Sequence, residues 1–298
     1  MLKSMRDYFY STDLDEVICP SITNNNCEGG SDSFLVTTNN LKWGHAVYLT
    51  VSRQLHLEMA TAMNNRCGVF SIGPVFRAEK HDSRRHLSEF TMAEVELSSI
   101  STLDALINHC ENCLRFSYQK LITACPDRVH EEYAAMIQKP SEIITYDESI
   151  RILQKLDPLL KWGHSLNSSQ EIRLSEYLGH RILFIINYPS EIKPFYMKKT
   201  ELPGSRNVAQ CFDCIMPNMG EIAGGSIRED DAASLLSSMQ IKGIHQSNLE
   251  WYVNLRKMGQ PSTGGYGIGV ERLFAELSGF KNIRQACMFP RDRGSIKY

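Results

Sequence analysis

Three groups of side chains, far apart along the chain, have the types and spacing to handle phosphate. Between apolar runs at 69–76 and 90–97 lies a polar loop with Arg77, Lys80, Arg84 and Arg85, with His81 and His86, and with the carboxylate Glu79. Two antiparallel strands around such a loop aim arginines and a carboxylate at one spot. Arginine suits a polyphosphate, because its planar fork bonds two oxygens at once and stays charged. Taken alone, a solvated basic hairpin tip explains the stretch equally well. The second group, Gly264, Gly265, Gly267 and Gly269, lets backbone approach a ligand, and an apolar-periodic helix with Arg272 on its first turn follows. Third are Asp213 and Glu221, carboxylates expected at the ends of adjacent strands. Hard Mg²⁺ takes carboxylate and phosphate oxygens together.

Elements must position these groups. A helix is expected over 2–10, a short strand at 17–19 closed by Pro20, a strand at 34–36, and a helix from Gln54 with Ser52 as its N-cap. The spacing of Leu103, Leu106, Ile107, Leu114 and Leu121 predicts a long helix over 101–124. Another helix is expected over 171–180, with a strand over 182–187.

Composition bounds the rest. The 298 residues are 22% charged and 42% hydrophobic, ordinary for a globular protein, and the net charge of −2 gives no global pull toward nucleic acid or anionic membrane. No apolar run reaches bilayer length. Acids at 7, 13, 15 and 16 argue against a leader, so a cytoplasmic location is expected. Nine scattered cysteines fit a reducing compartment. The pairs Cys110/Cys113 and Cys211/Cys214 have metal-like spacing, but they lack supporting histidines and read as small buried hydrophobes.

Read together, F-R-A-E…R-H-L-S-E-F at 76–90 and G-I-G-V-E-R at 267–272 resemble motifs 2 and 3 of the class II aminoacyl-tRNA synthetases. Tyr188–Met197, Phe212–Glu229 and the stretch from Leu49 to Glu58 resemble the asparaginyl branch in particular. The helix, strand and proline at the start match motif 1. The resemblance implies an α+β fold, an antiparallel sheet flanked by helices, filling 1–298 as one catalytic domain. It further implies an insertion at 125–160, a homodimer through motif 1, and no room for the branch's anticodon-binding domain.

The resemblance also assigns roles. Arg77 and Arg272 would be catalytic: Arg77 would clamp the α-phosphate, while Arg272, Arg85 and His86 would grip the outer phosphates. Glu79 would accept from the adenine amino group and Phe90 would stack on the ring, with Leu87 and Gly269 completing the ATP site. Asp213 and Glu221 would hold Mg²⁺. Ser52, Gln54, Glu94, Arg228 and Gly265 would bind the amino acid.

Four residues depart from the branch's pattern: Arg53 for glycine, Ile227 for glutamine, Ser262 for histidine and Gln285 for aspartate. Leu57, by contrast, agrees with the asparaginyl branch where aspartyl enzymes carry lysine. Arg53 alters the local shape, while Ile227, Ser262 and Gln285 are expected to surround the amino-acid end with the ATP-end residues intact, so that adenylation is retained and the substrate or acceptor changed. The leading expectation is therefore an ATP-dependent ligase that activates asparagine or aspartate and transfers it to a non-tRNA acceptor such as ammonia or a small amine. Asparagine synthetase-related paralogues are similar, and tRNA binding is then not expected. Two alternatives stand beside it: an asparagine–tRNA ligase core, and a silent regulatory paralogue. Retention of Arg77, Glu79, Asp213, Glu221 and Arg272 speaks against the last.

Overall fold

A computed structural model of the chain describes residues 1–24, 33–37, 43, 46–78, 83–203 and 206–293. Its centre is an eight-stranded sheet of β1 (Leu14–Glu16), β2 (Gly68–Phe76), β3 (Glu89–Ser98), β4 (Glu142–Thr145), β5 (Leu183–Ile186), β6 (Cys211–Met216), β7 (Gly220–Ile227) and β8 (Thr263–Gly269). Their order is β1-β2-β3-β8-β7-β6-β5-β4. The outermost pairs, β1 with β2 and β4 with β5, are parallel, and every pairing between them is antiparallel. The expected antiparallel sheet flanked by helices is therefore present, and the 142–145 stretch forms its edge strand.

Period-two alternation decides which face each side chain takes. Along β3, Ala93, Val95 and Leu97 join the main core, while Met92 and Glu94 line a cavity on the other face. Along β8, Tyr266 and Ile268 go to the core, and Gly267 and Gly269 line the cavity wall. Helix α1 (Leu2–Ser11) supplies Met5, Tyr8 and Phe9 to the core face. On α3 (Leu103–Ala124), Leu106, Ile107, Cys110, Cys113, Leu114, Ser117, Tyr118 and Leu121 are buried at helical spacing. The two helices pack on each other, and α3 lies on β6, β7 and β8. A second cluster gathers under α5 (Tyr146–Gln154) and α6 (Ser168–Tyr177), and includes Cys211.

On the cavity side, Leu55 of α2 (Gln54–Thr61) packs with Phe195 and Tyr196 and with α7 (Ala232–Ile241) and α8 (Glu250–Lys257). Helix α9 (Val270–Leu277) follows β8 directly, with its apolar face buried. Local readings shift in several places: α6 runs over Ser168–Tyr177 rather than 171–180, and the 34–36 stretch makes an isolated bridge at Leu35 rather than a strand. The first strand is Leu14–Glu16 rather than 17–19, because Leu14 fills the core while Ile18 is 98% exposed. The cap of α2 is Arg53 rather than Ser52, whose hydroxyl accepts from Gln54 N–H at 3.2 Å. The 34–36 stretch is held to the 47–49 stretch by Val36 N–H to Val47 O and Leu49 N–H to Phe34 O.

Candidate active site

The cavity above the sheet has a volume of about 800 Å³ and runs from β3 across β8 and β7 to β6. Of the site residues expected from sequence, Gln54, Arg77, Arg85, His86, Leu87, Phe90, Glu94, Asp213, Glu221, Arg228, Gly269 and Arg272 all line it. Glu79 lies outside the described residues. Ser52 and Gly265 do not line the cavity; both stand behind its wall.

One end is cationic. Arg77 leaves the end of β2 and places its guanidinium 5.4 Å from the Phe90 ring centroid. Arg272, on the first turn of α9, donates to Arg85 O at 3.2 Å and Glu221 O at 2.9 Å. Its Nη1 is 3.9 Å from the Glu221 carboxylate. Burial lowers its pKa, and the neighbouring Arg85 and Arg77 add to that. Arg85 is only partly available to a phosphate, because its Nη2 is ion-paired with Glu171 of α6 at 3.0 Å. Its buried Nε and Nη1 have no hydrogen-bond partner among the described residues. His86 is not a cation here. Burial, with Arg272 and Arg85 beside it, holds its pKa down at about 4, and its Nδ1 shares a hydrogen with Ser83 Oγ at 2.5 Å. It would meet a phosphate as a neutral imidazole donor.

The acid pair lies beside this end. Asp213 is opposite Gly224 in the β6–β7 register, and a bulge at Cys214/Ile215 brings Glu221 alongside. A Cβ on Gly224 would stand 3.4 Å from Glu221 Oε1 and 3.5 Å from Asp213 Oδ1, so glycine leaves the space between the carboxylates open. Two hard oxygen donors facing one gap fit a Mg²⁺ shared with phosphate oxygens. Lys193, which sequence reading missed, already donates to both Asp213 oxygens at 2.8 and 2.7 Å. Burial opposes its charge most strongly, yet Asp213, Cys211 and Glu221 together outweigh burial and raise its pKa.

The other end carries buried, paired charges. Arg228 donates to Glu96 from Nε at 3.0 Å and from Nη2 at 2.7 Å, and to Ser226 Oγ from Nη1 at 2.8 Å. Both charges are buried, 3% exposed at Arg228 and 0% at Glu96. Gly265 makes room for this pair, since a Cβ there would overlap Glu96 Oε2 and Arg228 Nη2. Glu94 accepts from Ser52 Oγ and, at 2.9 and 3.1 Å, from Arg53 N–H. Gln54 Nε2 is buried and lacks a partner among the described residues. It is the polar atom at this end that most needs a ligand.

Several contributors escaped sequence reading: Lys193, Glu171, Glu96, and Glu271, which accepts from Thr91 N–H at 3.0 and 2.9 Å. Glu271, inside the glycine-rich signature, and Lys193, inside the Tyr188–Met197 stretch, had a local signal. Three of the departures lie away from the cavity. Ile227 is fully buried in the core on the opposite face. Ser262 does not line the cavity; its carbonyl accepts from Ile100 N–H, beside the paired end of β3. Gln285 completes a capping box, its Oε1 accepting from Asn282 N–H at 3.3 Å. These three do not surround the amino-acid end.

Comparison with known proteins agrees with this geometry. Residues 1–293 match the family described as tRNA synthetases class II (D, K and N). The chain is 35% identical to the mitochondrial asparagine–tRNA ligase of Saccharomyces cerevisiae, over 95% of this chain and 65% of that protein. It is 34% identical to the asparaginyl-tRNA synthetase of Mus musculus, over 97% of this chain and 64% of that protein. Among solved structures, the Pyrococcus horikoshii asparaginyl-tRNA synthetase complexed with asparaginyl-adenylate aligns at a TM-score of 0.89 and 33% identity, covering 98% of this chain and 67% of that one. The chain thus spans about 65% of the length of these curated relatives. Because the relatives include mitochondrial proteins, a cytoplasmic address does not follow from kinship. Among the described residues no helix is long and apolar enough to cross a membrane. With its arginines, glycine-rich strand and acid pair gathered over one antiparallel sheet, the chain belongs to the class II tRNA synthetases of the D, K and N group.

Proposed function

We propose that this chain activates asparagine with ATP, forming an asparaginyl-adenylate and pyrophosphate, and passes the acyl group to tRNA. The carrying observation is the charge balance at the amide end. Arg228 is matched by Glu96, and Glu94 faces Arg53 at 3.6 Å. A neutral amide side chain can then donate to Glu94 and accept from Arg228, whereas an aspartate carboxylate would meet a cation already paired. Leu57 is wholly buried and adds no second cation.

The chemical problem is an anionic carboxylate attacking an anionic phosphorus, so positioning and electrostatics carry the reaction. Arg77, between the phosphate and amino-acid ends, would hold the α-phosphate against the attacking oxygen. Arg272 would hold the outer phosphates, and Phe90 would give the adenine an apolar face beneath. Asp213 and Glu221 would hold Mg²⁺, which when bound neutralises charge on the phosphate oxygens.

The relatives named as tRNA ligases support tRNA as acceptor better than ammonia or a small amine. The case for those acceptors rested on departures at 227, 262 and 285, and these lie outside the cavity. A homodimer through the motif 1 segment accords with the 54% exposure of Tyr10 and 98% exposure of Ile18 there.

The test is pyrophosphate exchange into ATP with each amino acid, followed by charging of tRNA-Asn. Asparagine-driven exchange and charging are expected. Exchange driven by aspartate, with amide formation on adding ammonia, would overturn this reading.

A further inference from the structure

Arg53 stands where the branch carries glycine, and an arginine introduced behind a substrate wall needs a reason. Its guanidinium is buried at 3% exposure, between α2 and the middle of β2. Nη1 donates to Gly73 O at 3.1 Å and Nη2 donates to Pro74 O. Strand β1 pairs with β2 only as far as Phe70, and Thr50 O accepts from Phe76 N–H, so among the described residues no strand lies beside this edge at Gly73 and Pro74. Arg53 fills that place. The absence of a side chain at Gly73 permits it, since a Cβ there would lie 3.0 Å from Arg53 Nη2.

The same residue grips Glu94 in two ways. Its backbone N–H reaches both carboxylate oxygens, and its Nη1 lies 3.6 Å from Oε2. With the Ser52 hydroxyl on Oε1, the carboxylate is fixed in place. A carboxylate offers about four lone-pair sites, so acceptor capacity remains for a donor in the cavity that Glu94 lines. Burial drives the Glu94 pKa up, and Ser52 and Arg53 draw it back.

We propose that Arg53 is a specificity-determining positioning residue for the amino-acid substrate, holding Glu94 as a fixed, charge-compensated acceptor for a neutral amide or ammonium donor. This rests on the reading of the cavity as an asparagine-activating site. Without Arg53, the buried Glu94 carboxylate, with the Cys19 thiol also nearby, keeps only the weaker pull of Arg77, and it takes up a proton more readily. A protonated Glu94 loses part of its acceptor capacity, and substrates bearing N–H donors bind less well.

The experiment uses the full chain and the variants Arg53→Met, Arg53→Lys, Glu94→Gln and Arg53→Met/Glu94→Gln, in pyrophosphate exchange and in thermal melting. Arg53→Met is expected to raise KM for asparagine roughly 10- to 100-fold, the scale of a charged hydrogen bond, and to leave KM for ATP within about twofold by the same accounting. The acid limb of kcat/KM for asparagine should move to higher pH, and Arg53→Lys should move it back. Melting supplies a readout free of substrate. Glu94→Gln should lower Tm in the parent chain and raise it in the Arg53→Met background.

A mere latch for the β2 carbonyls predicts otherwise: both KM values change together, the acid limb stays put, and the two substitutions add in Tm. That pattern overturns the proposal. If the parent chain exchanges with another amino acid, the asparagine reading fails, while the KM split with that substrate and the melting cycle still decide the role of Arg53. If no amino acid drives exchange, both readings fall.

Discussion

Arg228 and Glu96 allow folding and substrate reading to be separated. Arg228→Met leaves the Glu96 carboxylate at 0% exposure with its three contacts to the guanidinium gone. Removing one partner of a buried pair costs about 3–5 kcal/mol. For domains approaching this size each kcal/mol moves Tm by about 2–4 °C, so a fall on the order of 10 °C is expected. Replacing both charges by apolar groups of similar volume is close to neutral, because desolvation of the pair offsets much of its attraction. Arg228→Met/Glu96→Met should therefore melt within a few degrees of the parent chain, on the order of 1–2 kcal/mol away. It should still fail in asparagine-driven exchange by roughly 100-fold, because the cation facing the side-chain carbonyl is gone. Melting curves and exchange rates on the same preparations decide it. A double variant that folds and exchanges like the parent would refute the placement of Arg228 at the substrate.

Two further perturbations probe the turn between β6 and β7 and the acid pair. Burial raises the Glu276 carboxyl from 4.5 to about 7, against bonds from Met219 and Asn218 N–H. Its folded pKa lies above the unfolded one, so its stabilising contribution is fully present below pH 4.5 and lost as pH rises through about 7. The loss amounts to about 3 kcal/mol. Glu276→Gln should flatten the fall in Tm between pH 5 and pH 8, and an unchanged slope would show that Glu276 is ionised throughout. Gly224→Ala puts a methyl between Asp213 and Glu221. It should raise the Mg²⁺ needed for half-maximal exchange about tenfold, as for a perturbed metal shell, and leave KM for asparagine unchanged. An unaltered Mg²⁺ requirement would remove the pair from the metal site.

Most of the phosphate end was legible because its signals are local. Arg77 and Phe90 flank one hairpin loop, and Arg272 follows directly on the glycine-rich strand, so each motif carries its own geometry. The strands at 68–76 and 89–98 were legible from their apolar runs, and α3 from its 3.6-residue apolar spacing. Cap and strand ends slipped for a different reason. At the α2 start the Ser52 hydroxyl donates to Glu94, 42 positions away, while still accepting from Gln54 N–H, and the helix is capped one residue later, at Arg53. Tertiary demand overrode a local preference.

The buried ion pairs were illegible for the same physical cause on a larger scale. Arg85 finds Glu171 86 positions away, Glu96 finds Arg228 132 positions away, and Arg256 finds Glu58 198 positions away. Nothing in a window of sequence marks which carboxylate will neutralise which guanidinium. Yet these pairings settle what each charge is free to do. Arg85 is partly spoken for and His86 is uncharged, so of the three groups expected on the outer phosphates Arg272 is the cation whose nearest described carboxylate, Glu221, is as far as 3.9 Å. Departures from a motif mislead in the same way when taken without faces: Ile227 differs from the pattern but points into the core, while Arg53, one residue before α2, reaches the substrate wall through Glu94. A departure bears on specificity only where strand or helix geometry brings its side chain, or its partner, to the cavity.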